Sequence, residues 1–187
     1  MAATSTARET IRATRDRAKA FDMSDLIATG AIAGLVAGFI FLLANMVQAT
    51  AVDKPAIAPL LAIGTIFFFD AMPQMTPDYA LVGLVTHFAL AILFGIIFSL
   101  LVPMFSNGRA LLVGGLVYGL VLYLINFQVL ARLVFDWFQN PMGPNQLFEL
   151  IIHPLAYGIF LVPFFLGRVR RLGSPAAARE AAQGPPA

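Results

Sequence analysis

The chain has 187 residues, 59% of them hydrophobic and only 12% charged, against about 45–50% apolar and about 25% charged in a soluble domain. That balance excludes an ordinary soluble enzyme and a disordered protein, and the absence of cysteine excludes a disulfide scaffold, a thiolate metal site and a cysteine nucleophile. Twelve Lys+Arg against ten Asp+Glu leave a net charge of +2, too little for nucleic-acid binding, so the placement of charge carries the information.

The first 25 residues are basic and Thr-rich, but Glu9, Asp16 and Asp22 argue against a transit peptide. They read as a solvated cytoplasmic segment lying on anionic lipid, with Ser24 expected to cap the first long helix. Beyond it, residues 26–52, 79–108, 110–131 and 150–167 carry no Asp, Glu, Lys or Arg. A helix needs about 20 apolar residues to cross about 30 Å of hydrocarbon. The spacing therefore predicts four spans, at 26–48, 80–102, 110–132 and 147–167, forming a transmembrane domain over 26–167.

A fifth charge-free stretch, 55–69, has 15 residues and two prolines. With four spans, the arginines of the N-terminal segment, Arg109 and the Arg168–Arg170–Arg171 cluster all fall on one side, the cytoplasm by the positive-inside rule. A fifth span would separate them, so 55–69 reads as an interfacial or partly re-entrant helix on the outer face. Residues 168–187 form a basic tail, Ala- and Pro-rich after Gly173. Ten Arg against two Lys, with much Ala, Gly and Pro, associates the chain with a GC-rich bacterial genome. The expected location is the bacterial inner membrane, with both termini cytoplasmic and the bilayer as the main partner.

The halves repeat. Residues 34–47 align with 115–128 without a gap, sharing Gly34/Gly115, Gly38/Gly119 and Asn45/Asn126. Phe69-Asp70 and Phe135-Asp136 each precede a returning span, and both Asp70–His87 and Asp136–His153 are 17 residues apart. The offset falls from 81 to 66, a difference of 15, the length of the 55–69 stretch. The fold class expected is thus all-α: four transmembrane helices as two tandem, parallel in-out-in hairpins, with 55–69 inserted into the first. Gly30, Gly34 and Gly38 on the first span and Gly115 and Gly119 on the third mark close-packing faces, expected to meet each other. The same stripe could instead mark a homodimer face.

Helical rise puts His87 and His153 about 10 Å inside their spans, and Asn45 and Asn126 about 5 Å from the outer ends of theirs. Glu149 lies one turn before His153 on the same face. Gly83, Ala91 and Gly95 are expected to leave room beside His87. Three readings of this outer cluster stand open. The polar groups could tie helices together in a structural or accessory role. The two histidines could hold a haem b or a metal ion. His87, His153 and Glu149 could handle protons or a small solute. No Ser/His/Asp set, HExxH, phosphate loop or dinucleotide fingerprint is present, so a non-enzymatic protein is expected. Phe67–Phe69, Tyr79 and Trp137 read as interfacial anchors.

Through Thr86-His87 in the second span, the glycine-spaced GGLVYG of the third and Glu149-x3-His153 entering the fourth, the chain resembles the YagU-like group of small bacterial inner-membrane proteins. Its Gly-rich first span and His153…Tyr157-Gly158 element also resemble small four-helix proteins mislabelled as sodium:proline symporters. The resemblance implies an inner-membrane location and a link to envelope or acid stress. It supplies no substrate and no catalytic residue.

Overall fold

The structure, a computed structural model, describes residues 22–68, 72–135, 138 and 143–172. The N-terminal arginines, the tail beyond Leu172, and Phe69, Asp70, Asp136 and Trp137 lie outside the described residues. Every regular element among the described residues is helical: α1 (Met23–Ala51), α2 (Ala58–Phe68), α3 (Pro77–Met104), α4 (Gly108–Leu133), α5 (Gln146–Leu161) and α6 (Pro163–Leu172). Three of these, α1, α3 and α4, are long and apolar enough to cross a membrane. The pair α5 and α6 makes a fourth crossing if counted as one broken span.

The ends of the helices follow local chemistry. Asp22, rather than Ser24, caps α1: its Oδ1 accepts from the Ser24 backbone N–H at 2.9 Å and from the Ser24 hydroxyl at 2.6 Å. A carboxylate at this position meets the unpaired amides of the first turn and the positive end of the helix dipole. Pro77 opens α3, and Asn107 caps α4 by accepting from the Ala110 N–H. The sequence draws one straight span over 147–167, but the chain bends by 50° between Leu161 and Pro163. Pro163 has no N–H to donate and its ring crowds the preceding turn, so the helix breaks there.

The glycine faces of α1 and α4 meet different helices. A Cβ on Gly34 would overlap the Ala91 carbonyl oxygen of α3, and one on Gly30 would stand 2.7 Å from Ser99 Oγ. On the other side, a Cβ on Gly115 would stand 2.7 Å from the Gly158 carbonyl oxygen of α5, and one on Gly119 2.6 Å from Pro154 Cα. The expectation that the first and third spans face each other through these glycines is therefore corrected: α1 lies along α3 and α5, and α4 along α5. Backbone-to-backbone contact leaves no room on the same face for another helix.

Helix α2 is held in the same way. Gly83 of α3 sits against the Leu60 carbonyl, and Gly64 of α2 against the Tyr79 carbonyl. The pairings 60 with 83 and 64 with 79 make α2 antiparallel to α3, with Leu60 at a level about 9 Å along α3 from its first residue. Gly83, Ala91 and Gly95 consequently leave no open space beside His87, because neighbouring backbones fill it. Tyr79 is likewise no surface anchor: it is 5% exposed and stacked under Phe68 at 4.4 Å.

The interior core centres on Phe98, Leu111, Leu161, Phe165 and Val169, with Phe98 touching Tyr118 at 5.2 Å and Phe165 at 5.9 Å. The outer surfaces of the long helices are apolar as well, Phe39, Val85 and Val117 being more than half exposed. Helices apolar on all sides are compatible with an integral membrane protein, whose outer faces meet lipid.

Candidate functional site

His87, on α3, is buried, and its Nε2 lies 2.9 Å from the Gly38 carbonyl of α1. A carbonyl only accepts, so Nε2 carries the proton and donates it. Gly38 permits this, since its bare Cα lets α1 approach the α3 backbone around Ala91. The bond joins two helices at a depth where an unmet imidazole nitrogen would be costly.

His153 behaves differently. Its Nδ1 lies 2.8 Å from the Glu149 backbone carbonyl, one turn earlier in the same helix, and 3.3 Å from Glu149 Oε2. By the same rule Nδ1 is protonated. The ring is enclosed by aromatic groups: Phe41 at 4.6 Å, Phe127 at 4.9 Å and Tyr123 at 5.8 Å, each approaching edge to face. Phe41 also stacks with His87 at 6.2 Å, so this α1 phenyl ring is packed against both imidazoles. Glu149 is 4% exposed, and its Oε2 accepts no hydrogen bond.

The asparagines stand apart from these rings' hydrogen bonds. Asn45 is buried and donates to the Phe41 carbonyl of its own helix at 3.1 Å. Asn126 is half-buried in a π-helical stretch of α4, Leu124–Leu130, where its backbone carbonyl accepts from the Ala131 N–H. A second π-helical stretch, His153–Gly158, lies in α5, and Ile159 N–H there reaches back five residues to the Pro154 carbonyl. Pro154 lacks the N–H that an α-helix needs at that turn, which favours the wider winding.

Several contributors were not flagged by sequence reasoning. Tyr157 on α5 donates to the Ala91 carbonyl at 2.6 Å, and Tyr118 on α4 donates to the Phe94 carbonyl at 2.7 Å, both on α3. Beside the start of α5 Gln128 Nε2 donates to Tyr123 Oη and, at 2.8 Å, to Gln146 Oε1. Gln128 could have been found, being an amide inside an apolar run, whereas tyrosine at a helix face is too common to signal a bond. At the opposite end Arg168 Nη2 reaches Asp25 Oδ2 at 2.6 Å and Thr29 Oγ1 at 2.7 Å. No group of three or more His, Asp or Glu that could hold a metal ion assembles among the described residues.

Comparison with protein-family models, curated proteins and solved structures gave no match.

Proposed function

We infer that this is an integral inner-membrane protein of four spans, with both termini cytoplasmic, whose outer polar groups fasten helices together rather than bind a cofactor or catalyse a reaction. The observation that carries this reading is the bond from His87 Nε2 to the Gly38 carbonyl, with Tyr157–Ala91 and Tyr118–Phe94 repeating its form. Each takes a side-chain donor on one helix to a backbone carbonyl on another, which is what a lipid-embedded bundle uses for register. A bis-histidine haem or shared metal is disfavoured because the Phe41 ring packs on both imidazoles, where a ligand held between them would have to lie. A homodimer through the glycine stripes is disfavoured because those faces are occupied within the chain.

The tandem-hairpin organisation belongs to the same proposal, and the contact register supports it. Ala91 and Gly95 lie opposite Gly34, while Gly158 and Val162 lie opposite Gly115, an offset of 67 residues between the two returning spans. The histidines are offset by 66. A π-helical stretch accommodates one added residue in a helix, and His153–Gly158 is placed where the two offsets part. The depth of Leu60 beside Gly83 favours a re-entrant α2 over one lying flat. The resemblance to YagU-like proteins favours the inner membrane and adds no substrate.

Two measurements test this. Reporter fusions after Ala20, Asn107 and Leu172 should read cytoplasmic, and those after Met75 and Met142 external; the reverse at Asn107 and Met75 overturns the topology. The purified protein should show no haem absorption and only background metal. A haem band or stoichiometric metal that disappears in His87→Ala or His153→Ala overturns the fastening role.

A further inference from the structure

Most polar groups buried in the bundle have a partner that explains them. His87, Tyr118 and Tyr157 bond across helices, and Asn45, Thr65, Thr86 and Ser99 bond back to carbonyls of their own turns. The pair Glu149–His153 does neither job fully. Both residues sit on α5, so their contact ties no two helices, and Glu149 Oε2 is buried with no hydrogen-bond donor. A carboxylate withdrawn from water with an unmet oxygen is expensive, and it persists only with a proton or a cation at hand. His153 Nδ1, 3.3 Å from Oε2, is the cation-capable group provided.

We propose that Glu149 and His153 together form a proton-binding site loaded from the outer face. The pair holds one proton beyond the bare carboxylate and neutral imidazole. That proton resides either on the Glu149 carboxyl or on the His153 ring, and both forms remove the uncompensated negative charge. Among the described residues the other titratable and charged groups on the neighbouring elements are few, and Asp53 and Asp78 are exposed. Tyr123 on α4 and Tyr157 on α5 are phenols, and His87 on α3 is bonded to Gly38. Lys54 Nζ is drawn to the Gly143 carbonyl at 3.5 Å, and Arg132 stands on an exposed face of α4. The way in is the polar chain at the start of α5. Gln146, one turn before Glu149, joins Gln128 and Tyr123 and also donates to the Pro144 carbonyl of the outer loop. The two π-helical stretches flank this point on α4 and α5, a backbone irregularity that recurs at functional positions.

The proposal rests on the spanning topology inferred above, which places the start of α5 on the outer side. The test uses the full chain in proteoliposomes. Dicyclohexylcarbodiimide, which adds to protonated carboxyls in apolar surroundings, should label Glu149 by peptide mass, and raising the external pH should abolish the labelling. Infrared difference spectra between acidic and alkaline external buffer should show a carboxyl C=O band that shifts in D2O. The band should be lost in Glu149→Gln and kept, at a displaced frequency, in His153→Phe, which removes the neighbouring ring nitrogen. Should Glu149→Gln fail to fold, the labelling of the unmodified protein still decides. Glu149 unlabelled at every pH, a band that survives Glu149→Gln, or a response to internal pH alone overturns the proposal. A cytoplasmic reading at Met142 would refute the topology without removing a Glu149-dependent band, so the two failures are separable.

Discussion

The phenolic oxygen of Tyr157 lies 2.6 Å from the carbonyl oxygen of Ala91, the same carbonyl that the absent side chain of Gly34 leaves uncovered. One peptide group of α3 thus receives α5 by a hydrogen bond and α1 by close backbone contact. Three helices are fixed in register at a single point. Tyr157→Phe keeps the ring and removes the donor, while Ala91 keeps its place in the helix. The expected cost is about 1 kcal/mol, near the net value of one intramolecular hydrogen bond. Reversible unfolding in mixed micelles measures it, and an unchanged midpoint would remove Tyr157 from the set of fastening residues.

The glycine contacts give a sharper contrast. At Gly34 an added methyl group meets a backbone carbonyl, which cannot swing aside as a side chain would. Gly34→Ala is expected to cost about 1–3 kcal/mol, the range for overpacking a filled interior. Gly167, on α6, has open space where its Cβ would be. Gly167→Ala is expected to be neutral or to stabilise by up to about 1 kcal/mol through helix propensity. Equal effects at the two positions in the same unfolding assay would contradict the packing described.

These two glycines also show what was legible in the sequence. The i, i+4 spacing of Gly30, Gly34 and Gly38 on an apolar helix announces a close contact, because only small residues let backbones touch in lipid. It does not announce the partner, since the spacing is the same whichever helix comes near. Gly167 belongs to no such series, and the place its Cβ would take is open. The charge-free runs likewise mark where helices lie, and Pro163 marks where the last one can break, though a proline does not announce the size of the bend. At the site, His87, His153 and Glu149 stand out as ionisable groups in or beside apolar runs. Phe41, which packs on both imidazoles, is one phenylalanine among 17 and carries no distinguishing pattern. Backbone carbonyls, the partners of both rings, are present at every residue and so are silent in a sequence.

The cap of α1 predicts a pH-dependent end. The Ser24 hydroxyl and backbone amide, both donating to Asp22, hold its carboxyl below the usual carboxylate range. A depressed value means that the native state holds its proton less readily than the unfolded chain. The stabilisation is therefore complete above the unfolded value of 3.8 and is lost as pH falls through the folded one. Hydrogen exchange at the amides of Ser24 and Asp25 should report fraying of the first turn under acid. Asp22→Ala should produce the same fraying at neutral pH, and Asp22→Asn, which keeps an accepting oxygen, should suppress most of it. Protection that did not change in Asp22→Ala would assign the start of α1 to another cause.

The bend between α5 and α6 leaves the last helix to be secured beside the start of α1, and Arg168 does this. Its Nη2 reaches Asp25 and Thr29, two residues on successive turns of α1, while its guanidinium lies 5.9 Å from the ring centre of Phe165. A lysine offers one compact ammonium in place of this planar fork, so Arg168→Lys should lose part of the link although the charge is kept. The carboxylate side is 54% exposed and the guanidinium 14%, so solvent screens the pair and its coupling should be small, about 0.5–1 kcal/mol. A double-mutant cycle with Arg168→Gln and Asp25→Asn isolates that term, because the amide of the second substitution retains the side-chain volume without the charge. The coupling should shrink in high salt, as expected for a partly exposed pair. Strict additivity of the two substitutions at low salt would show that the Asp25 pair does not help to hold α6, leaving the Thr29 bond and the complete burial of Phe165 and Val169.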